Sequence, residues 1–365
     1  MIHRTRALLL FSLLVVLAFA VSAQAPAIDD VVKAQMQAQH IPGLAVAVLR
    51  DGKILNATGY GFADLEHNIA VRPDTVFKIG SVSKQFIAAG IMLLAQDGKL
   101  SVDDKVSRYF PDAPETWNAI TIRHLLTHTA GLIREAPGFD PYKLQSDSDL
   151  IKTGYSAALV FQPGERYQYS NLGYFTLAEI IHRVSGKPWG EFLHERIFAP
   201  LGMSATRVTT VADMVPHRAH GYAWRAEKFH NMPNWPAVRA SGAFLSTVQD
   251  LAKWEAALLG ESILKEASKR EMWTPVTLND GRKYPYGFGW QLDDFPPGPT
   301  PSGVPMIRHG GSLSGFRAYY CRWPKQRLAV IVLTNLEGAA LDGLVAEIGV
   351  RYAPELRQAG SAAKQ

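Results

Sequence analysis

Runs of apolar residues near both ends of the chain predict buried β-strands. Residues 43–49 are apolar throughout, and residues 53–60 form a return strand after Asp51-Gly52, whose residue types suit a type I′ hairpin turn. Toward the C-terminus, further apolar runs predict four more strands and then a closing helix at residues 341–352. These four strands are predicted at 287–292, 305–309, 316–322 and 328–334.

The middle of the chain has helical periodicity instead. Apolar residues recur at steps of three and four over residues 82–96, with a second stripe on the opposite side, so we expect a helix buried on most faces. Asp97-Gly98 supplies the residues that end this helix. Residues 137–149 and 216–236 show no regular pattern and are predicted as loops. Further helices are predicted at 121–126, 172–184, 189–197 and 248–259, the last of them after a capping box at 246–249.

This order of elements predicts an α/β (α+β) fold. One antiparallel sheet is built from both chain ends, is flanked by helices, and carries an inserted, mostly helical lobe. Residues 26–75 and 236–360 are predicted to form the sheet lobe, and residues 76–235 the helical lobe, of one domain that spans 26–360. A chain of 365 residues, 47% of them hydrophobic, is long enough to bury such a core.

The first 25 residues have the pattern of a secretory signal peptide. Basic residues precede an apolar stretch at 7–21, and Ala23-Gln24-Ala25 is a small-x-small cleavage site. The apolar stretch is shorter than the roughly 20 residues that a membrane-spanning helix needs. We therefore predict a periplasmic or secreted protein that begins near Pro26 and has no stable membrane span after cleavage. An uncleaved membrane anchor is the alternative.

The charge and the cysteine content exclude further classes of protein. The formal net charge is +5, and it falls to +3 when Arg4 and Arg6 leave with the signal peptide. Because this charge is small and evenly spread, nucleic acid is not an expected partner. Cys321 is the only cysteine, which excludes an internal disulfide, and its apolar neighbours predict a packed core residue.

Candidate chemistry begins with Ser81 and Lys84 at the start of the helix predicted over 82–96. Ser81 lies where free N–H groups and the positive end of the helix dipole favour developing negative charge. Lys84 follows one turn later on the same face. An ammonium in an apolar setting gives up its proton more readily, so a serine in contact with it can be an activated nucleophile. The alternative is that Ser81 only caps the helix.

Two further polar segments stand next to predicted elements. In Tyr169-Ser170-Asn171, Tyr169 could relay a proton if nearby cations lower its pKa, and Asn171 could bind a substrate amide and the lysine. The alternative is a packed tyrosine and an asparagine that caps the next helix. In Arg308-His309-Gly310-Gly311-Ser312, the glycines permit close approach of backbone to a ligand, and an edge strand could offer N–H groups to an acyl oxygen. A plain turn between two strands is the alternative.

Taken in this order, Ser-x-x-Lys, Tyr-x-Asn and His-Gly-Gly resemble the penicillin-recognising serine hydrolases. More narrowly, the chain is similar to the branch that holds class C β-lactamases, D-alanyl-D-alanine carboxypeptidases and family VIII carboxylesterases. Segments 77–81, 124–132, 163–171 and 200–203 support the resemblance, which covers nearly all of the chain after the signal peptide. The resemblance implies a β-lactamase/transpeptidase-like fold.

The resemblance also implies roles for individual residues. Ser81 matches the acyl-accepting nucleophile, and Lys84 and Tyr169 match the groups that transfer its proton. Asn171 matches the amide that orients the substrate. The backbone N–H groups of Ser81 and Ser312 match the oxyanion hole, so the substrate-binding set is Asn171, His309, Gly311 and Ser312.

These features together predict an exported serine hydrolase that works through an acyl-enzyme without a cofactor. The substrate is predicted to be a small molecule or short peptide: an ester, then a D-amino-acid amide or peptide, then a β-lactam. This order follows from His309, because many β-lactamases have a lysine there and a neutral histidine attracts a carboxylate less. A monomer is expected. The alternative is a catalytically weak protein of the same fold that binds penicillin or cell-wall fragments.

His124 and His128 have the spacing of two metal ligands on a helix. The residues between them are Leu125, Leu126 and Thr127, so neither a third ligand nor a general base accompanies them. We therefore expect no metal site here.

Overall fold

The computed structural model describes residues 28–358 except 141, 144, 209–211, 234–239, 243 and 295–303, so the predicted signal peptide lies outside the described residues. The strands are β1 Gly43–Arg50, β2 Lys53–Asp64, β3 Ile69–Ala70, β4 Phe77–Lys78, β5 Tyr222–Arg225, β6 Lys228–Asn231, β7 Leu245–Ser246, β8 Val276–Thr277, β9 Lys283–Tyr284, β10 Gln291–Asp294, β11 Pro305–Leu313, β12 Phe316–Trp323 and β13 Leu328–Thr334.

The α-helices are α1 Asp29–Gln39, α2 Lys84–Gln96, α3 Ile122–Leu126, α4 Asp147–Gly154, α5 Asn171–Ser185, α6 Trp189–Leu193, α7 Val248–Leu259, α8 Glu266–Met272, α9 Asp342–Tyr352 and α10 Glu355–Gln358. Short 3₁₀ turns lie at Gly80–Ser83, Val106–Arg108, Glu115–Trp117 and Pro324–Gln326, and a π-turn at His194–Phe198 extends α6.

The main sheet joins the two halves of the chain. Its seven strands follow the order β10-β11-β12-β13-β1-β2-β3, and each neighbouring pair is antiparallel. The turn between β1 and β2 has positive φ at both Asp51 and Gly52, as a type I′ turn requires. The predicted antiparallel sheet built from both chain ends is therefore confirmed.

The two faces of this sheet are covered by different helices. In β1, Leu44, Val46 and Val48 belong to one hydrophobic cluster with α1 and α9, whereas Ala45, Ala47 and Leu49 belong to a second cluster with α2, α5 and α7. Side chains of a strand alternate between faces, so both faces of β1 are buried. This explains why its sequence is apolar throughout rather than alternating.

Helix α2 runs through the larger of the two clusters. Every residue from Lys84 to Leu94 is buried, which accounts for its apolar residues on opposite sides. The helix ends as predicted before Asp97-Gly98, where Gly98 takes a positive φ. Its beginning differs from the prediction over 82–96, because Gly80–Ser83 forms a 3₁₀ turn and the α-helix starts at Lys84.

Several predicted elements have other bounds in the structure. Gly287 to Trp290 is not a strand, because Gly289 turns the chain with φ of 75° and β10 begins only at Gln291. Part of the loop predicted at 137–149 belongs to α4, which Ser146 caps by accepting a hydrogen bond from the Asp149 N–H.

Helix α7 also differs from the prediction in its first turn. Its N-cap is Thr247, which accepts from the Asp250 N–H at 3.0 Å, so the cap lies one residue later than predicted. The Asp250 side chain accepts from the Ala205 and Thr206 N–H groups rather than from the N-cap residue, so the predicted capping box is wrong. The segment predicted as sheet lobe, 236–360, contains α7 and α8 as well as strands. The division of the chain into two lobes with the bounds given above stays a prediction.

Two further expectations concern membrane-spanning helices and the single cysteine. Across the described residues, no helix is both long enough and apolar enough to cross a bilayer. Cys321 is a free, buried cysteine in β12, which confirms the predicted core position.

Candidate active site

Ser81 is held in a tight backbone turn at the edge of the main sheet. Gly80 has a φ of 53°, a left-handed conformation that favours glycine, and it starts the 3₁₀ turn that carries Ser81. Ser81 remains partly exposed, whereas Lys84, three residues later, is fully buried. The turn therefore places a partly exposed serine three residues before a buried lysine.

The Lys84 Nζ atom contacts three oxygen atoms. It lies 3.2 Å from Ser81 Oγ, 2.9 Å from Asn171 Oδ1 and 2.7 Å from the Ser241 carbonyl oxygen. A neutral amine has two N–H donors and one lone pair. It can therefore donate to the amide and the carbonyl while it accepts the proton of the Ser81 hydroxyl.

The surroundings of Lys84 favour this neutral form. Burial lowers the pKa of Lys84 well below its usual value; Glu135 opposes the shift and Arg134 adds to it. The Tyr169 and Tyr174 rings lie with their centroids 4.7 and 5.3 Å from Nζ. The faces of these rings attract a cation, but desolvation by burial is the larger effect and disfavours the ammonium, so Lys84 is suited to act as a base.

Tyr169 completes the group around Ser81. Its hydroxyl is hydrogen-bonded to Ser81, and the Arg134 guanidinium lies 5.1 Å from its ring centroid. Burial raises the pKa of Tyr169, and neither the Ser81 hydrogen bond nor Arg134 offsets this. The structure therefore differs from the expectation that nearby cations lower this pKa: Tyr169 is a protonated phenol at neutral pH.

Asn171 connects the lysine to a carboxylate. It is the first residue of α5, after the N-cap Ser170, whose side chain accepts from the Gly173 N–H at 3.1 Å. The Asn171 amide nitrogen donates to Glu135 Oε1, which orients Oδ1 toward Lys84. The second carboxylate oxygen of Glu135 is buried and has no hydrogen-bond partner in the described part of the structure.

Strand β11 lies directly against the turn that carries Ser81. A Cβ atom placed on Gly311 would lie 2.0 Å from the Ile79 carbonyl oxygen, and one placed on Gly80 would lie 2.6 Å from the Ser312 nitrogen. Only glycines permit this approach of two backbones. The backbone N–H of Ser312 is thereby brought beside the turn that contains the N–H of Ser81.

His309 is buried at the centre of the same strand. Its Nδ1 lies 2.7 Å from the Gly310 carbonyl oxygen and its Nε2 lies 3.0 Å from the Tyr286 hydroxyl. Burial is the main cause that lowers the pKa of His309 to about 3, and it outweighs the opposing effect of the Gly310 carbonyl. His309 is therefore neutral at pH 7 and carries no charge that would attract a carboxylate.

The two histidines with metal-ligand spacing have different partners. His124 Nδ1 accepts the Thr121 N–H at 3.2 Å within the N-terminal cap of α3. His128 has a φ of 59° and faces the Tyr286 hydroxyl and the Ser170 N–H. Within the described ranges, no group of three histidine, cysteine or acidic side chains is arranged to hold a metal ion.

A family model described as Beta-lactamase matches residues 28–353. The chain belongs to the beta-lactamase family.

Relatives within this family include both curated proteins and solved structures. Penicillin-binding protein 4* of Bacillus subtilis is 31% identical over 312 residues, which cover 80% of this chain and 68% of that protein. The octameric penicillin-binding protein homologue from Pyrococcus abyssi has a TM-score of 0.77 at 26% identity and covers 88% of this chain and 76% of its own. The D-amino acid amidase from Ochrobactrum anthropi SV3, solved with L-phenylalanine amide, has a TM-score of 0.76 at 25% identity, with coverages of 93% and 98%.

The comparisons with these relatives test part of the sequence predictions. The fold class and the resemblance are confirmed, and so is a beta-lactamase-related serine hydrolase at the level of the family. This family member spans about two thirds of the length of the curated relatives that it matches. The roles of single residues, the signal peptide and the monomeric state stay predictions; one relative is octameric.

Sequence reasoning missed three groups at this beta-lactamase-family site: Arg134-Glu135, Ser241 and Tyr286. A pair of opposite charges directly after the apolar segment 130–133 was the available signal for Arg134-Glu135. Ser241 contributes only a backbone carbonyl, and Tyr286 reaches the site from a segment far away along the chain, so neither has a local signature.

Proposed function

We propose that this beta-lactamase-family protein hydrolyses acyl substrates through an acyl-enzyme formed at Ser81. The contact between the buried Lys84 amine and the Ser81 hydroxyl supports this proposal most directly. Asn171 Oδ1 and the Ser241 carbonyl accept the amine's own protons, which leaves its lone pair for the Ser81 proton. A base that is neutral at working pH and touches the nucleophile is what activation of a serine requires.

Acylation uses the three grouped side chains in sequence. The Ser81 proton passes to Lys84 Nζ while Oγ forms a bond to the substrate carbonyl carbon, and the negative oxygen is held by the N–H groups of Ser81 and Ser312. Each such donor typically contributes about 3–4 kcal/mol in the transition state. When the carbonyl–leaving-group bond breaks, Tyr169 gives its proton to the leaving oxygen or nitrogen and recovers one from the Lys84 ammonium.

Deacylation reverses these roles with water as the nucleophile. The amine at Lys84 accepts a proton from water as its oxygen bonds to the acyl carbon. The bond from that carbon to Ser81 Oγ then breaks, and Oγ takes the proton back from Lys84. The products are a free acid and an unchanged enzyme.

The substrate is proposed to be an ester or a D-amino-acid amide or peptide, with β-lactams less favoured. Neutral His309 gives little attraction for the carboxylate of a β-lactam. Glu135 instead places a carboxylate beside Asn171, and this negative charge favours a substrate with an amino group near the scissile bond. A related D-amino acid amidase with the same fold is consistent with this choice. We further propose that residues 1–25 direct export to the periplasm or the medium.

A fluorophosphonate label tests the nucleophile. The wild type and Ser83→Ala, which changes the neighbouring buried serine of the same turn, should be labelled stoichiometrically. Ser81→Ala should not be labelled. No labelling of the wild type would instead support the binding-protein alternative, and equal labelling of Ser81→Ala would assign the nucleophile elsewhere.

A substrate panel tests the acyl specificity. We expect kcat/KM to be higher for p-nitrophenyl esters and for D-alanine amide than for nitrocefin. D-Alanine amide should also exceed its N-acetyl derivative, and Glu135→Gln should remove that preference. A preference for nitrocefin over every ester and amide would contradict the proposal.

A further inference from the structure

The Tyr286 hydroxyl is a buried polar group beside the candidate site that the proposed reaction does not use. Tyr286 is fully buried and lies between two histidines, with its oxygen 3.2 Å from His128 Nε2 and 3.0 Å from His309 Nε2. These histidines belong to different parts of the chain: His128 follows α3, and His309 lies in β11.

Ser170, His128, Tyr286, His309 and Gly310 form a row of hydrogen-bonded groups. The direction of every hydrogen bond in this row can be derived from its two ends. His128 Nδ1 lies 3.1 Å from the Ser170 N–H, which can only donate, so Nδ1 is the acceptor and the proton of neutral His128 is on Nε2. His309 Nδ1 lies 2.7 Å from the Gly310 carbonyl, which can only accept, so Nδ1 carries the proton and Nε2 is an acceptor. Tyr286 then accepts from His128 and donates to His309.

One alternative acceptor exists for the Tyr286 proton. Tyr174 is also hydrogen-bonded to Tyr286. The Tyr174 hydroxyl donates its own proton to the Leu126 carbonyl at 2.9 Å, so the Tyr174 oxygen could accept the Tyr286 proton. That arrangement would be needed only if His309 were an imidazolium. Burial and Arg308 oppose a charge on His309, and Tyr169 is the other ring facing it, 6.3 Å away between centroids.

We propose that Tyr286 is a positioning residue: its hydroxyl links His128 to His309, fixes His309 as the neutral Nδ1–H tautomer, and thereby orients the Gly310 carbonyl and the Gly311-Ser312 backbone. The row joins the two segments on which the proposed reaction depends. At one end Ser170 stands between Tyr169 and Asn171, and at the other Gly310 precedes the proposed oxyanion donor. The inference rests on the proposed function for its kinetic consequence, but its tautomers are a property of the folded protein alone.

The tautomers are tested first, on the wild type. Nitrogen-15 NMR of protein labelled at histidine, assigned with His128→Gln and His309→Gln, should show His309 protonated at Nδ1 and His128 at Nε2 at pH 7. A reversed tautomer at either histidine, or a charged His309, would overturn the proposal. This result does not depend on whether Ser81 is the nucleophile.

Tyr286→Phe removes only the hydroxyl, and Tyr284→Phe is the matched control. Tyr284 is two residues away, and its ring stacks on Tyr167 with centroids 3.9 Å apart. Its carbonyl accepts from the Tyr286 N–H at 2.7 Å, a backbone contact that Tyr284→Phe keeps. Tyr286→Phe should lower kcat roughly tenfold, as expected for one lost hydrogen bond, with little change in KM. Because neutral His309 loses its donor, the imidazolium becomes less unfavourable, and nitrogen-15 NMR should show His309 becoming protonated at a higher pH than in the wild type.

The same two variants separate this inference from the proposed function. Tyr284→Phe should keep the wild-type tautomers, kcat and His309 titration. If folded Tyr286→Phe kept the His309 tautomer, the His309 titration and the kcat of the wild type, the positioning role would be wrong while Ser81 labelling could still succeed. Failure of labelling with the predicted tautomers intact would refute the proposed function instead.

Discussion

Gly311→Ala tests the arrangement of the proposed oxyanion hole most sharply. The added Cβ would lie 2.0 Å from the Ile79 carbonyl oxygen, whereas ordinary contact begins at 3.4 Å, so β11 and the Ser81 turn must separate by about 1.4 Å. Both contacting partners are backbone, so no side-chain rotation can relieve the overlap. A misplacement of about 1 Å can cost about 100-fold, and loss of one oxyanion donor costs about 10²–10³ in kcat. We therefore expect kcat to fall by roughly 10²–10³.

Gly310→Ala is the matched control for this substitution. Its Cβ would meet nothing closer than 3.9 Å, and the position has no positive φ, so kcat should remain within roughly threefold of the wild type. The assay is kcat and KM for a p-nitrophenyl ester, with circular dichroism to verify folding. A folded Gly311→Ala protein with wild-type kcat would refute the placement of Ser312 in the oxyanion hole.

Three further substitutions address the base, a buried ion pair and a helix cap. Lys84→Arg keeps a positive charge that does not titrate, so kcat should fall roughly 10²–10⁴-fold at every pH up to 10; an acid limb that persists with wild-type kcat would contradict the role of a neutral amine. Arg322→Met leaves the buried Glu255 without its cation, 2.8 Å away in the wild type, and should lower the free energy of unfolding by about 3–5 kcal/mol in urea titrations. An unchanged urea midpoint would show that the pair contributes little. Thr247→Ala removes the N-cap of α7 and should cost about 1 kcal/mol by the same method, while Thr247→Ser should not.

The architecture could be predicted where one local pattern determines one element. Asp51-Gly52 specifies a type I′ turn through its residue types alone, and both residues have the positive φ that this turn needs. The strands β1 and β13 are buried on two faces, so their uninterrupted apolar sequences are unambiguous.

Other elements were missed because tertiary contacts decide them. The predicted strand at 287–292 is apolar and aromatic, yet Gly289 turns the chain so that its backbone approaches the Lys84 carbonyl. Helix α1 was not predicted, because most of Asp29–Gln39 is exposed and only Val31 and Val32 are buried.

In the candidate site, too, contacts between residues close in sequence could be predicted, and contacts between distant segments could not. Ser81 and Lys84 are one helical turn apart, so their contact follows from spacing. The pair Asn171–Lys84 spans 87 positions, and Tyr286–His128 spans 158, so no pattern in a short window could reveal them. The raised pKa of Tyr169 is likewise a product of burial by distant segments.

The central place of β1 in the sheet also governs the order in which the molecule can be completed. The Thr334 hydroxyl donates to the Gly43 carbonyl across 291 positions, so during synthesis β1 keeps an unpaired, apolar edge until β13 leaves the ribosome. The Arg351–Asp30 ion pair, at 2.8 Å, holds α9 beside α1. A circular permutant that links these helices and opens the chain at Gly98, where nothing lies within 4 Å of a Cβ, would place β13 shortly before β1 in the order of synthesis and should refold faster.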